Sequence, residues 1–274
     1  MQQPGNIAFV GGGNMARSLI GGLITRGTDA ARIRVAEPIE ALREALAADF
    51  GVSVFANASH ACADADLWLL AVKPQVMRSV CESLSDNTRL QQALVVSIAA
   101  GITAAQLQRW LGGAVAVIRA MPNTPALLGA GVTGLFASTQ VDPAGRRRAE
   151  ELLSSAGKTV WIADEARMDA VTAVSGSGPA YVFLLAEAME AAARQQGLSD
   201  EAARILVLQT VLGAARMLTE ADATPAELRT RVTSPNGTTQ AAIEALQAGG
   251  FSALVANAIQ AATERGRALS AAND

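Results

Sequence analysis

Histidine, lysine, cysteine and aromatic residues are scarce in this chain. Its 274 residues include one histidine (His60), two cysteines (Cys62 and Cys81) and only two lysines (Lys73 and Lys158) among 22 basic residues, with 4% aromatics, 17% charged residues and a formal net charge of −3. One histidine and two cysteines without Cys-x-x-Cys spacing leave no soft-metal constellation and no disulfide framework. No metal is expected, both thiols read as reduced and structural, and His60 reads as a solvated loop residue. The slight acidity, with no basic stripe interleaved with aromatics, argues against a nucleic-acid partner. The run Arg146-Arg147-Arg148 is followed by Glu150 and Glu151 on a helix that Asp142 and Pro143 begin, which makes it a solvated face.

An apolar N-terminal stretch with basic flanks is also lacking, because an apolar strand pattern begins almost at residue 1. A cytoplasmic protein is the expectation, and in that compartment the glycosylation-type strings at Asn57 and Asn236 carry no meaning. The uncharged stretch Leu90 to Gln108 is broken by Ser, Gly, Thr and Gln, so it reads as buried strands and loops rather than a membrane span. What the chain does have is apolar mass. Half of its residues are hydrophobic, enough for two domains with a core each.

Ile7-Ala8-Phe9-Val10 is a short apolar run with strand composition. Gly11-Gly12-Gly13-Asn14-Met15-Ala16 follows at once, then a helical pattern through Leu19, Ile20 and Leu23. Strand, G-x-G-x-x-A turn and helix in that order are the opening of a dinucleotide-binding βαβ unit. Gly11 makes the tight turn, Gly13 admits the pyrophosphate, and Ala16 lets helix and strand pack closely. A second strand, Ile33-Arg34-Val35-Ala36, ends on Glu37, where an acidic residue can hold an adenosine ribose hydroxyl.

Residues 1 to about 163 alternate strand and helix. Further strands are expected at Val52 to Phe55, Leu67 to Val72, Leu94 to Ile98, Val115 to Arg119, Val132 to Ala137 and Thr159 to Ile162, with a helix at Ala41 to Asp49. Leu67-Trp68-Leu69-Leu70-Ala71-Val72 is apolar throughout, as strands buried on both faces of a parallel sheet are. From residue 164 to 274 the pattern is alanine-rich and helical, with helix starts at Ser177-Gly178-Pro179, Ser199-Asp200, Thr224-Pro225 and Gly237-Thr238-Thr239. The expected architecture is α/β: an N-terminal doubly wound, Rossmann-type sheet in 1–163 and an all-helical domain in 164–274.

A doubly wound sheet binds its ligand at the carboxyl ends of its strands. Asn57 follows one strand, Lys73-Pro74 another, and Met121-Pro122-Asn123-Thr124-Pro125 a later one. Lys73 reads equally as a cofactor contact or a surface loop lysine. Asn123 and Thr124 form a proline-flanked polar loop that suits either the nicotinamide or plain turn chemistry.

Thr233-Ser234-Pro235-Asn236-Gly237-Thr238-Thr239 precedes an uncharged amphipathic helix. A helix start leaves about four amide donors without partners and carries roughly half a positive charge, which favours an anion. Gly237 lets a ligand approach the backbone, while Thr238 or Thr239 can cap the helix and still offer a hydroxyl. An ordinary capped helix start is the alternative reading of this segment alone.

Together the strings G-G-G-N-M-A at 11–16, A-V-K-P-Q at 71–75, M-P-N-T-P-A at 121–126, S-G-S-G-P-A-Y at 175–181 and T-S-P-N-G-T-T at 233–239 resemble the pyrroline-5-carboxylate reductase family over essentially the whole chain. The resemblance implies reduction of 1-pyrroline-5-carboxylate to L-proline with NADPH or NADH. It implies cofactor contacts from Gly11, Gly13, Asn14, Met15, Ala16, Glu37, Asn57, Ala71, Lys73, Pro74, Met121, Pro122 and Asn123. Substrate contacts are implied at Ser177, Ser234, Gly237, Thr238 and Thr239, with the Thr239 hydroxyl meeting the imine nitrogen. It also assigns substrate binding and dimerisation to the helical domain 164–274, with the dimer assembled in some cases into a larger ring. The Ser175 to Tyr181 segment can complete the substrate wall or simply allow close helix packing, with Ser177 its expected contact.

The missing acid fits this chemistry. A ketone needs a proton donor at the nascent alkoxide, whereas a cyclic imine is more basic and can enter already protonated. No lysine or histidine follows Lys158, which weakens hydroxyacid dehydrogenases that rely on a lysine in the helical half. Glu37, followed by Pro38, would repel a 2′-phosphate and accept bonds from a free ribose diol, so NADH should serve at least as well as NADPH. Another imine or keto-acid reductase, or a noncatalytic dinucleotide sensor, remains the alternative.

Overall fold

The computed structural model describes residues 5–87 and 93–272. The opening residues of the chain, residues 90–92 of the stretch weighed above as a span, and the last two residues of the helical domain lie outside that description.

Eight strands form one sheet in the order β3-β2-β1-β4-β5-β6-β7-β8. They are β1 (Asn6–Val10), β2 (Ile33–Ala36), β3 (Ser53–Phe55), β4 (Ala65–Leu70), β5 (Leu94–Ser97), β6 (Ala116–Met121), β7 (Gly131–Ala137) and β8 (Gly157–Trp161). Every pairing is parallel except β6 with β7, which is antiparallel. Parallel neighbours need a crossover helix between them, and the segment joining β6 to β7 holds only a short 3-10 turn, Thr124–Leu128. The doubly wound expectation holds, with this one reversal that a list of strands does not reveal.

Helices cover both faces: α1 (Asn14–Thr25), α2 (Glu40–Phe50), α3 (Ala58–Cys62), α4 (Pro74–Leu84), α5 (Ala104–Trp110) and α6 (Pro143–Ser154). Phe9, Val35, Leu67, Leu69, Val96 and Ile118 pack with Leu19, Ile20, Leu46 and Leu152 on one side. Ala8, Val10, Trp68, Leu70, Val95 and Val117 pack with Met77, Cys81, Leu84 and Leu107 on the other. Burial on both faces is why β4 is apolar at successive positions; Leu67, Trp68, Leu69 and Leu70 are all buried. Sequence order reverses between β1 and β4, which opens a ligand crevice at their carboxyl ends.

The chain divides into two compact units, one holding residues 1–177 and 261–274, the other 178–260. The helix α7 (Met168–Val171) and a π-helical stretch, Thr172–Gly176, stay with the sheet. The helical unit holds α8 (Gly178–Gln195), α9 (Asp200–Glu220), α10 (Pro225–Arg231), α11 (Thr238–Ala248) and the start of α12 (Phe251–Ala272). The last turns of α12 return to the sheet unit, where Gln106 Nε2 donates to the Ser270 carbonyl at 3.0 Å. That return pairs residues 164 positions apart, so no composition shift marks it.

Within the helical unit, α8 and α9 pack together across the turn at Gly197, and Ala203 and Val207 are buried. Much of the apolar surface is exposed: Phe183, Leu184, Ile205, Leu206, Leu212 and Leu218 among others. Among the described residues, α9 is also long and apolar enough to cross a membrane, as is the bent pair α11 and α12 if taken as one span.

Candidate active site

The glycine turn is built from three different demands on three glycines. Gly11 has φ +102°, and a Cβ there would stand 2.8 Å from the Ala71 carbonyl oxygen. Its N–H donates to the Ala36 carbonyl at 2.8 Å, while the Ala71 N–H donates to Val10 at 2.8 Å, so the ends of β1, β2 and β4 are tied at one point. A Cβ on Gly12 would meet Leu46 at 2.5 Å. Gly13 differs: its Cβ direction is open for 4 Å. Gly13 is also the N-cap of α1, whose first turn contains Asn14, Met15 and Ala16. An open cradle at the start of a helix that carries unpartnered amide donors fits a pyrophosphate. Ala16 is buried against the sheet, so its side chain packs, and only its backbone N–H can reach a phosphate.

Glu37 is 7% exposed. Its Oε2 accepts the Gly12 N–H at 3.0 Å and its Oε1 the Ile39 N–H at 3.1 Å. The side chain therefore ties the glycine turn to the end of β2. Arg43 lies beside it, donating to the carbonyls of Glu37 and Pro38 at 2.9 and 2.8 Å.

Asn57 caps α3, with Oδ1 accepting the His60 N–H at 3.0 Å. Lys73 is exposed at the N-cap of α4, with Pro74 as its first helical residue. Met121 ends β6 and Pro122 is buried behind it. The Asn123 side chain is engaged on both ends: Oδ1 accepts the Val132 N–H at 2.9 Å, and Nδ2 donates to the Ser175 carbonyl at 3.2 Å. Ser18 Oγ on α1 donates to the Ala126 carbonyl at 2.6 Å and fixes the same loop from its other end. The sheet unit thus gathers the expected cofactor residues along the carboxyl ends of β1, β2, β3, β4 and β6.

Of the expected substrate residues, Ser177 is the last residue of the sheet unit's first stretch, and Ser234, Gly237, Thr238 and Thr239 lie in the helical unit. Gly237 is the N-cap of α11, and Thr238 and Thr239 are its first two residues. Neither threonine caps the helix, which corrects the expectation that one would, because the chain enters the first turn one residue earlier. The left-handed residue is Asn236, at φ +58°, and Gly237 is not in that region. The Gly237 N–H donates to the Ser234 carbonyl at 3.0 Å, and the Asn236 N–H to Gln240 Oε1 at 2.8 Å. Two amides near the turn are therefore used internally. The donors open to an anion are those of the first helical residues, Thr238 and Thr239. Thr238 is exposed and Thr239 half-buried.

Sequence reasoning missed the internal clamps on this machinery: Glu37 on Gly12, Ser18 on Ala126, and Asn123 on Val132 and Ser175. It also missed an ion pair between buried Arg119 and half-buried Glu165 at 2.9 Å, whose carboxylate accepts the Ala104 N–H at 2.7 Å. Only a charged residue inside an apolar strand pattern, Arg119, gave any signal of that pair. Two surface hollows, of about 360 and 320 Å³, are lined by other residues, the first along α1 at Arg17 to Arg26 and the second on α10. Among the described residues no group of three or more His, Cys, Asp or Glu side chains forms a metal site.

Two family profiles match the chain. One, described as pyrroline-5-carboxylate reductase dimerisation, matches residues 165–269, and another, described as NADP oxidoreductase coenzyme F420-dependent, matches residues 6–101. A pyrroline-5-carboxylate reductase of Pseudomonas aeruginosa is 53% identical over 263 residues, covering 96% of each chain. One of Glycine max is 37% identical, again over 96% of each. Among solved structures, a pyrroline-5-carboxylate reductase from Coxiella burnetii superposes with a TM-score of 0.94 at 42% identity, covering 98% of this chain and 99% of that one. The Plasmodium falciparum pyrroline carboxylate reductase with NADP bound superposes at 0.85 with 27% identity, covering 98% and 100%.

Proposed function

This chain belongs to the pyrroline-5-carboxylate reductase family, and we propose that it reduces 1-pyrroline-5-carboxylate to L-proline with NADPH or NADH, the last step of proline biosynthesis. The observation that carries the reading is near-complete coverage: 96% of this chain aligns with a reductase at 53% identity, and the two family profiles span the glycine turn and the threonine turn.

The roles divide between the two turns. The first-turn amides of α1, opened to solvent at Gly13, receive the cofactor's phosphates, and Glu37 faces its adenosine ribose. Asn57, Ala71, Lys73, Pro74, Met121 and Pro122 line the rest of the cofactor groove. The bound dihydronicotinamide supplies the hydride. Thr238 and Thr239 amides hold the substrate carboxylate at the start of α11, with Ser234 and Gly237 shaping the turn; Ser177 is a further substrate contact that the family motif implies. The Thr239 hydroxyl hydrogen-bonds the imine nitrogen, so positioning rather than a titrating acid carries the step. The side chain of Glu37 at the end of β2 favours the free ribose diol, so NADH serves at least as well as NADPH.

Within residues 164–274, the helical unit 178–260 acts as the substrate-binding and dimerisation region. Its exposed leucines, isoleucine and phenylalanine on α8 and α9 are the surface that a second copy covers. A dimer is the building block, alone or in a ring of dimers, and the protein works in the cytoplasm without a nucleic-acid or membrane partner. Light scattering at low micromolar concentration should give at least a dimer; monomer alone would refute this assembly.

The deciding assay mixes the purified protein with pyrroline-5-carboxylate and NADH or NADPH and quantifies proline. Stoichiometric proline supports the reading. Turnover only with other imines or keto acids, or cofactor binding without turnover, would favour a different reductase or a sensor.

A further inference from the structure

Ser175 lies in a π-helical stretch, Thr172–Gly176, whose C-cap Ser177 N–H reaches back five residues to the Thr172 carbonyl at 2.8 Å. Such stretches are uncommon and recur at functional sites. In a regular helix the Ser175 carbonyl would accept from the N–H of residue 179, but residue 179 is proline and has none. The Asn123 carboxamide donates to that carbonyl instead, from a loop 52 residues away. Asn123 stands at the N-cap of the 3-10 turn that follows, where an asparagine ordinarily caps its own helix. Here the side chain spans two other elements, with Oδ1 on Val132 and Nδ2 on Ser175. Met121 adds a second contact between the same segments, since a Cβ on Gly176 would lie 2.6 Å from its Cε.

We propose that Asn123 is a positioning residue: it supplies the hydrogen bond that Pro179 withholds from Ser175 and so sets the backbone of Ser175, Gly176 and Ser177 against the Met121 to Asn123 loop. It acts through Ser177 rather than by touching the cofactor, which reassigns the side chain from the cofactor groove to the frame behind it. The inference rests on the reductase reading for its kinetic arm and on backbone exchange for an arm independent of it.

Asn123→Ala should leave the NADH dissociation constant within about twofold while lowering kcat/KM for pyrroline-5-carboxylate by about tenfold or more, the scale at which small misplacements act. Hydrogen exchange at the Ser177 amide should quicken in the same variant, whether or not the protein is a reductase. Adding Pro179→Ala, which restores an N–H four residues after Ser175, should recover most of both losses. Asn123→Asp keeps the acceptor for Val132 but loses the donor. Its kcat/KM relative to the unaltered protein should rise as pH falls and the carboxyl gains a donating O–H. Weakened NADH binding without rescue by Pro179→Ala would overturn the proposal, as would unchanged exchange at Ser177 in both Asn123 variants. A failure of the unaltered protein to form proline, with the exchange pattern as stated, would sink the reductase reading and leave the strut standing.

Discussion

The Glu37 carboxylate accepts the Gly12 N–H at 3.0 Å across 25 residues of sequence, joining the end of β2 to the glycine turn. The residue proposed to select the ribose is therefore also a brace for the phosphate loop. Glu37→Ser should shift the ratio of catalytic efficiencies toward NADPH, because the negative charge facing a 2′-phosphate is gone. Serine is too short to reach Gly12, so the same change should cost about 1–3 kcal/mol in urea unfolding, the range for a buried bond to a charged group. A strong NADPH preference in the unaltered enzyme would refute the selective role of Glu37.

Gly11 and Gly13 should respond differently to the same methyl group. Gly13→Ala meets open space and should leave the melting temperature close to that of the unaltered protein while weakening NADH binding, because the methyl enters the phosphate cradle. Gly11→Ala places a side chain at φ +102° and 2.8 Å from the Ala71 carbonyl, and should destabilise the fold by about 1–3 kcal/mol. Calorimetry and fluorescence titration separate the two outcomes. Equal thermal losses would remove the distinction.

Thr239→Val nearly preserves shape and deletes only the hydroxyl. With a hydrogen bond to the reacting nitrogen lost, kcat should fall about ten- to a hundredfold, from the 1–3 kcal/mol such a bond contributes. NADH affinity should change little, because the glycine turn that binds phosphate is elsewhere. Unchanged turnover would exclude the Thr239 hydroxyl from the reaction.

Cys62 and Cys81 are both fully buried. Burial pushes each thiol up to about 12, with Arg34 drawing Cys62 slightly down and Glu82 raising Cys81 further. Native protein should resist iodoacetamide at neutral pH and react at both sites once unfolded. Because the folded values lie above the unfolded ones, the linked stability is complete below about pH 9 and is lost as pH rises toward the folded values. The urea midpoint should therefore fall as pH rises from about 9 toward 12, and less steeply in the Cys62→Ala, Cys81→Ala protein. An identical alkaline slope in that variant would trace the loss to other groups.

The strand pattern was legible because burial on both faces of a parallel sheet leaves continuous apolar runs such as Leu67 to Leu70, and because Gly, Pro and Asn mark where those runs stop. Boundaries moved by one or two residues, as at β4 and β6, where hydrogen-bond register rather than hydropathy decides the ends. The G-G-G-N-M-A turn was readable for the same reason: its spacing is set by local backbone geometry. The reversal of β7, by contrast, depends on which neighbour Gly131 to Ala137 finds, and that partner is distant in sequence.

Local chemistry along the chain determined the two kinds of element and the glycine turn, and five short strings carried the resemblance to the family. It did so because helix periods, glycine turns and caps are properties of a few consecutive residues. Tertiary structure alone decided how those parts are braced. Glu37 on Gly12, Asn123 on Ser175, Arg119 on Glu165 and the end of α12 on Gln106 are all contacts between segments far apart in the chain. Their existence depends on where the fold brings each polar group out of water, and a buried donor or acceptor must then find whatever partner stands within reach.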